Sequence, residues 1–133
     1  ELGASGDLTG TEAVVWEVKQ HTPYVPSPLL YGDFLTMCAG NHAKLSCLDA
    51  KTGAVHYSRE SVGGIHGVYG SPVGASGRIY LAGRQGTVAV LKNGPTFEIL
   101  ATNKLDEGFD ASPAIVGDAI FLRGSTSLYC IAK

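Results

Sequence analysis

The sequence predicts an all-β protein made of repeated four-stranded antiparallel sheets, and three observations carry that prediction. Ser-Pro recurs at Ser27-Pro28, Ser71-Pro72 and Ser112-Pro113, at spacings of 44 and 41 residues. Each copy opens the same order of apolar runs, about four to seven residues long and rich in Val, Ile, Leu and aromatics. The runs are punctuated by Gly, Asp, Asn and Pro, and 18 of the 133 residues are Gly. No window carries the i, i+3, i+4, i+7 stripe of an amphipathic helix.

Each element follows from this repeat. Pro28, Pro72 and Pro113 stand at the first position of a strand, where a missing N–H costs least. Gly32-Asp33, Ser76-Gly77 and Gly117-Asp118 supply the tight turns that lead into second strands. A third run follows in each copy and places Cys47, Val90 and Cys130 at one repeat position. In 49–53 Asp49 caps a turn and Gly53 takes the positive φ. The expected strands are 28–32, 34–39, 44–49 and 54–59 in the first blade. In the second they are 71–75, 78–82, 87–91 and 96–101, and in the third 113–117, 119–123 and 127–132. Four antiparallel strands in about 42 residues cannot bury two apolar faces alone, so the sheets pack radially against copies of themselves as a β-propeller.

Composition closes off other classes. Hydrophobic residues make up 44% and charged residues 17%, which excludes a disordered chain, a coiled coil and a charged helical bundle. Ten Lys and Arg against twelve Asp and Glu give a formal charge of −2, which provides no electrostatic footprint for nucleic acid or an anionic membrane. No apolar run approaches the roughly 18 residues of a membrane span. With no initiator Met and no leader pattern, the chain reads as mature, trimmed or excerpted. Cys38, Cys47 and Cys130 lie in alternating apolar runs and read as small buried hydrophobes, with their redox state left open.

The repeat, above all Asp49, Thr52, Gly53 and the closing aromatics Trp16 and Tyr57, resembles the PQQ-like, or quinoprotein-type, β-propeller repeat. That family includes the propeller of the bacterial outer-membrane assembly lipoprotein. Its motif is A-x-D-x-x-T-G-x-x-x-W, and here Tyr57 stands in place of the Trp. The resemblance implies that Trp16 and Tyr57, with Asp49 and Gly53, are structural docking residues between neighbouring blades. It also implies a periplasmic or extracellular setting. It does not bring a function with it, because the scaffold hosts both enzymes and binding modules. Quinone-binding members use a vicinal Cys-Cys pair, a Trp floor and calcium ligands. This sequence has no Cys-Cys, and its one Trp stands at the docking position, so no PQQ or other cofactor is expected.

The phase of the repeat leaves two loose ends. The third blade, 113–133, has no outer strand, and 13–18 reads as an outer strand with nothing before it. The expectation is a single domain, 1–133, in which 13–18 is an orphan strand, 28–59 and 71–101 are whole blades, and the arc is half a ring. Two copies exchanging their first strands would close a homodimer of about six blades, within the known range of about 4–8.

Ligands of a propeller bind over the axial face, built from connections between blades and from hairpin tips. Here these carry His21, Tyr24, Asn41, His66, Tyr69, Arg84, Asp110 and Arg123, the candidate rim. Two His and an Asp on one rim are a metal-type set, but the histidines are out of register, so no metal site is read. Ser27, Ser71 and Ser112 are repeat punctuation, with no G-x-S-x-G, phosphate loop or dinucleotide fingerprint, so no catalytic constellation is found. The expected function is a non-catalytic scaffold or binding module for a protein or peptide. The alternative is a fragment of a larger secreted propeller enzyme or of a carbohydrate-binding protein.

Overall fold

The computed structural model describes residues 3–132; residues 1, 2 and 133 of the expected domain lie outside the described residues. Eleven strands form three antiparallel sheets, and no helix occurs among the described residues. Blade one is β1 (Leu29–Tyr31), β2 (Phe34–Cys38), β3 (Lys44–Asp49) and β4 (Val55–Ser61), paired in chain order. Blade two is β5 (Val73–Ala75), β6 (Arg78–Ala82), β7 (Thr87–Lys92) and β8 (Ile99–Lys104), in the same order. Blade three has β9 (Ala114–Val116), β10 (Ala119–Arg123) and β11 (Leu128–Ile131), with no fourth strand among the described residues.

Turn chemistry sets the hairpins. Ser76 and Gly77 both have positive φ, 49° and 71°, which is the twist that a two-residue connection needs. Gly32 and Gly117 carry the positive φ alone, as the first of two loop residues. Asp49 holds the turn between β3 and β4: its Oδ1 accepts from the Thr52 hydroxyl (2.8 Å), the Thr52 N–H (2.8 Å) and the Lys51 N–H (3.0 Å). Those donors hold its carboxyl below the ordinary carboxylate range, the Thr52 hydroxyl foremost. A bulge in β4 places Ser58 and Arg59 opposite Ser46, and the Ser46 hydroxyl accepts the Arg59 N–H at 3.0 Å.

Two cores lie between the blades rather than within them. Cys38 and Leu45 of blade one meet Ile79, Leu81, Ala89 and Leu91 of blade two, with Val62, Ile65 and Val68 of the connection wedged between. On the other side of blade two, Ala82 and Val88 meet Phe109 and Leu122. Alternate residues of β6 and β7 therefore enter different cores, which is why both faces of the middle blade are apolar.

Three expectations need correction. Cys130, read as a buried small hydrophobe, is exposed on β11, which has no partner beyond β10 among the described residues. The outer strand of blade two runs 99–104, not 96–101. In blade one the Asp49 N–H closes the turn on the Ala54 carbonyl, whereas in blade two the Lys92 N–H reaches Glu98, one residue further. Pro95 offers no N–H there and Gly94 opens the backbone at φ 152°, so the turn takes in the residues assigned to the strand. Residues 13–18 form no strand and pair with none among the described residues. The segment is held through Trp16 instead. Its indole N–H donates to the Ala50 carbonyl at 3.1 Å, and its ring lies on Gly53. A Cβ on Gly53 would sit 2.8 Å from Trp16 Cγ, and φ there is 72°, so the turn admits only glycine without strain.

Candidate functional site

The axial rim is a weave in which connections between blades alternate with hairpin tips. The Val68 N–H donates to the Asn41 carbonyl (2.8 Å), and the Arg84 N–H donates to Gly67 (3.0 Å). The Leu105 N–H donates to Gly86 (3.0 Å) and the Phe109 N–H to Gly83 (3.3 Å). The connection between blades one and two is thus gripped by the tips of both, and Phe109 of the next connection also pairs with Gly124 at the tip of blade three. Gly108 is needed for that closeness, since a Cβ there would run into the Arg84 carbonyl.

Between blades two and three this weave leaves an open cleft of about 770 Å³. Arg84, Gln85, Asp110, Arg123 and Ser125 supply its polar wall, with Gly108, Ala111 and Gly124 between them. Arg84 Nε donates to Asp110 Oδ1 at 2.6 Å, and the guanidinium lies 4.0 Å over the Tyr69 ring. The hydrogen bond to Asp110 raises the Arg84 pKa, so Arg84 is a fixed cation. Below the cleft the Glu107 carboxylate organises the tip of blade three. It accepts from Tyr129 Oη (2.6 Å), the Thr126 N–H (2.7 Å), Ser125 Oγ (2.9 Å) and Thr126 Oγ1 (3.0 Å). The Ser127 and Tyr129 hydroxyls and the Thr126 N–H hold its carboxyl far below the usual carboxylate range.

Of the eight rim candidates, Tyr69, Arg84, Asp110 and Arg123 come together at this cleft. His66 lies beside it, its N–H donating to Gln85 Oε1 at 3.3 Å. The other three sit at the far end of the arc. His21 lines a separate pocket with His42, Lys44 and Arg59, Asn41 offers its backbone carbonyl to Val68, and Tyr24 stands in solvent. The aromatics before the prolines do not act alike: Phe109 is fully buried, Tyr69 half-buried under Arg84, and Tyr24 exposed. Tyr57 meets Phe97 edge to face at 5.6 Å, and burial pushes its phenol up to about 12. Gln85, Glu107 and Ser125 are missing from the rim set drawn from sequence. The hydroxyl run 125–127 was the one hint that a carboxylate would be drawn there.

No three His, Cys, Asp or Glu side chains converge to hold a metal among the described residues. A quinone cofactor does not fit the residues at the cleft. The cysteines are free and scattered, Trp16 is committed to blade one, and the two carboxylates nearest the cleft are bound by Arg84 and by the Ser125–Tyr129 hydroxyls.

Antiparallel blades that bury their apolar faces against one another, joined by connections along one rim, define this chain as an arc of a β-propeller. No protein-family model and no curated protein matches the sequence. Among solved structures, the chain is similar to BamB from Moraxella catarrhalis, at 19% identity and a TM-score of 0.61, over 79% of this chain and 32% of that one. It is also similar to a europium-containing methanol dehydrogenase, at 20% identity and a TM-score of 0.55, over 73% of this chain and 20% of that one. The chain therefore spans about a third and a fifth of these structures, and the likeness shows the fold. Among the described residues, no helix is long and apolar enough to cross a membrane.

Proposed function

We propose that the chain is a non-catalytic propeller module that binds a protein or peptide across its axial cleft, with an acidic group of the ligand at Arg123. The observation that supports this is the pairing state of the two arginines. Arg84 is neutralised by Asp110, whereas Arg123 lines the same cleft with no carboxylate within ion-pair distance among the described residues. The Gln85 amide lines the same cleft and suits a carboxylate or a peptide backbone. The open form of the cleft suits an extended segment better than a small enclosed substrate.

Fluorescence anisotropy with labelled acidic and basic peptides tests this. Acidic peptides should bind, and Arg123→Glu should weaken them about tenfold or more, which is about 1.4 kcal/mol. Equal binding of both peptide types, or no effect of Arg123→Glu, would sink the reading. A second reading, a segment of a larger secreted propeller enzyme or of a carbohydrate-binding protein, draws support from the likeness to a fifth of a methanol dehydrogenase. Saturable binding of neutral oligosaccharides, indifferent to Arg123, would favour its carbohydrate form. The same proposal makes the working unit a homodimer, two arcs closing a ring of about six blades.

A further inference from the structure

Arg84 is fixed along its whole length by groups from inside the arc. Its backbone N–H donates to the Gly67 carbonyl at 3.0 Å. The stem of its side chain lies along Gly67, where a Cβ would come within 3.4 Å of Arg84 Cδ. Its guanidinium carbon stands 4.0 Å from the centroid of the Tyr69 ring. Nε donates to Asp110 Oδ1 at 2.6 Å, and Nη2 reaches Oδ2 at 3.5 Å. The connections that carry Tyr69 and Asp110 are themselves tied together, because the Ser71 N–H donates to Ser112 Oγ at 2.8 Å. The same bond joins the Ser27 N–H to Ser71 Oγ one blade earlier, also at 2.8 Å, so the serines link the blades in one direction.

This setting decides what Arg84 can still bind. Asp110 holds one edge of the guanidinium, and a second carboxylate brought to that edge would meet the charge of the first. Tyr69 covers one face of the plane. Arg84 nevertheless lines the cleft and its side chain is 42% exposed, so it presents the opposite face and its outer edge there. A guanidinium is flat and weakly hydrated, and stacking on an aromatic ring leaves its in-plane hydrogen bonds unbroken. Gln85 stands next to it in the cleft wall. Its Oε1 accepts the His66 N–H at 3.3 Å, which leaves its own N–H groups to donate.

Resting on the reading that a peptide lies across this cleft, we infer that Arg84 is a stacking platform that selects an aromatic side chain of that peptide. The ring lies on the open face of the guanidinium, so that ring, guanidinium and Tyr69 form a three-layer stack. Asp110 makes this choice possible, because it keeps the plane fixed and diverts the acidic group of the ligand to Arg123. A Gln85 N–H donates to a backbone carbonyl of the same segment. The ligand class is thus an extended peptide with an aromatic residue beside an acidic one.

Fluorescence anisotropy on the full chain compares two labelled acidic peptides that differ only in carrying Tyr or Leu beside the acidic residue. The Tyr peptide should bind about two- to fivefold more tightly. Arg84→Lys keeps the charge but has no plane, and should bring the two affinities together. Equal affinities in the unaltered chain, or a preference that survives Arg84→Lys, overturn the platform and leave the acidic-peptide reading standing. Failure of both peptides to bind overturns both. The Arg84 Nε–H signal in NMR gives a readout that needs no variant. It should move upfield when the Tyr peptide is added, through the ring current above the plane, and not when the Leu peptide is. An unmoved signal in the Tyr complex overturns the stack.

Discussion

Blades one and three carry the same strand pattern and meet opposite environments. Cys47 is buried in blade one, and Cys130, at the same repeat position, is exposed in blade three. Leu45 is buried and Leu128 is not. Neither difference lies in strand propensity, since β3 and β11 hold their partners in the same antiparallel fashion. It lies in what stands next to the sheet. Leu45 lies in the core shared with blade two and Cys47 faces the Gly94 carbonyl of blade two, whereas blade three has a neighbour on one side only among the described residues. In a repeat architecture a residue's burial belongs to the interface between units and not to the unit.

The sharpest way to break this comparison is truncation at equivalent positions. Phe109→Ala empties a filled seam and should lower stability by about 3–5 kcal/mol. Tyr24→Ala, at the same repeat position but 81% exposed, should cost the arc almost nothing. Chemical denaturation of both variants checks this, and similar losses in a monomeric arc would undo the argument.

Trp16→Ala removes a partly buried ring and its hydrogen bond to Ala50, an expected loss of about 2–3 kcal/mol. Gly53→Ala attacks the same contact from the other side. It combines a positive φ with a clash against Trp16 and should cost about 1–2 kcal/mol. If Trp16→Ala leaves the Tm unchanged, blade one is not covered in the way described.

Thiol labelling reads the contrast directly. Burial pushes the Cys38 thiol up to about 12, so at pH 8 only about one molecule in ten thousand carries its thiolate. Cys130 should label with a maleimide first and Cys38 only on unfolding, as mass spectrometry of the labelled peptides will show.

The smallest effect concerns pH. The Glu107 carboxyl has a folded pKa below its ordinary value of 4.5. It therefore adds stability that is fully present above pH 4.5 and is lost as pH falls below that value. Thermal melts from pH 6 down to pH 3 should show a decline that Glu107→Gln flattens. An equal decline in that variant would assign the effect to other groups.

Much of this was legible in the sequence because turns and strands are local. The Ser-Pro period, the Gly-Asp and Ser-Gly turns and the Asp49–Gly53 motif marked most strand boundaries to within a residue or two. The boundary missed by three residues, at β8, depended on Pro95 and Gly94 lengthening a turn. The site was half legible. Tyr69, Arg84, Asp110 and Arg123 converge as their loops suggested, but Glu107 becomes the centre of a hydrogen-bonded tip only through Ser125, Thr126 and Tyr129, about twenty residues away.

The sequence by itself determined that this protein is a row of antiparallel blades with polar turns and apolar strands, because backbone preference and a two-residue alternation act over a few neighbours. Only the tertiary structure decided which repeats are covered. It also settled that the serines link blades in one direction, that Arg84 is neutralised beside an Arg123 with no such partner, and that Trp16 rests on Gly53. Those outcomes depend on contacts between segments tens of residues apart, and a periodic sequence leaves the environment of its end repeats unspecified.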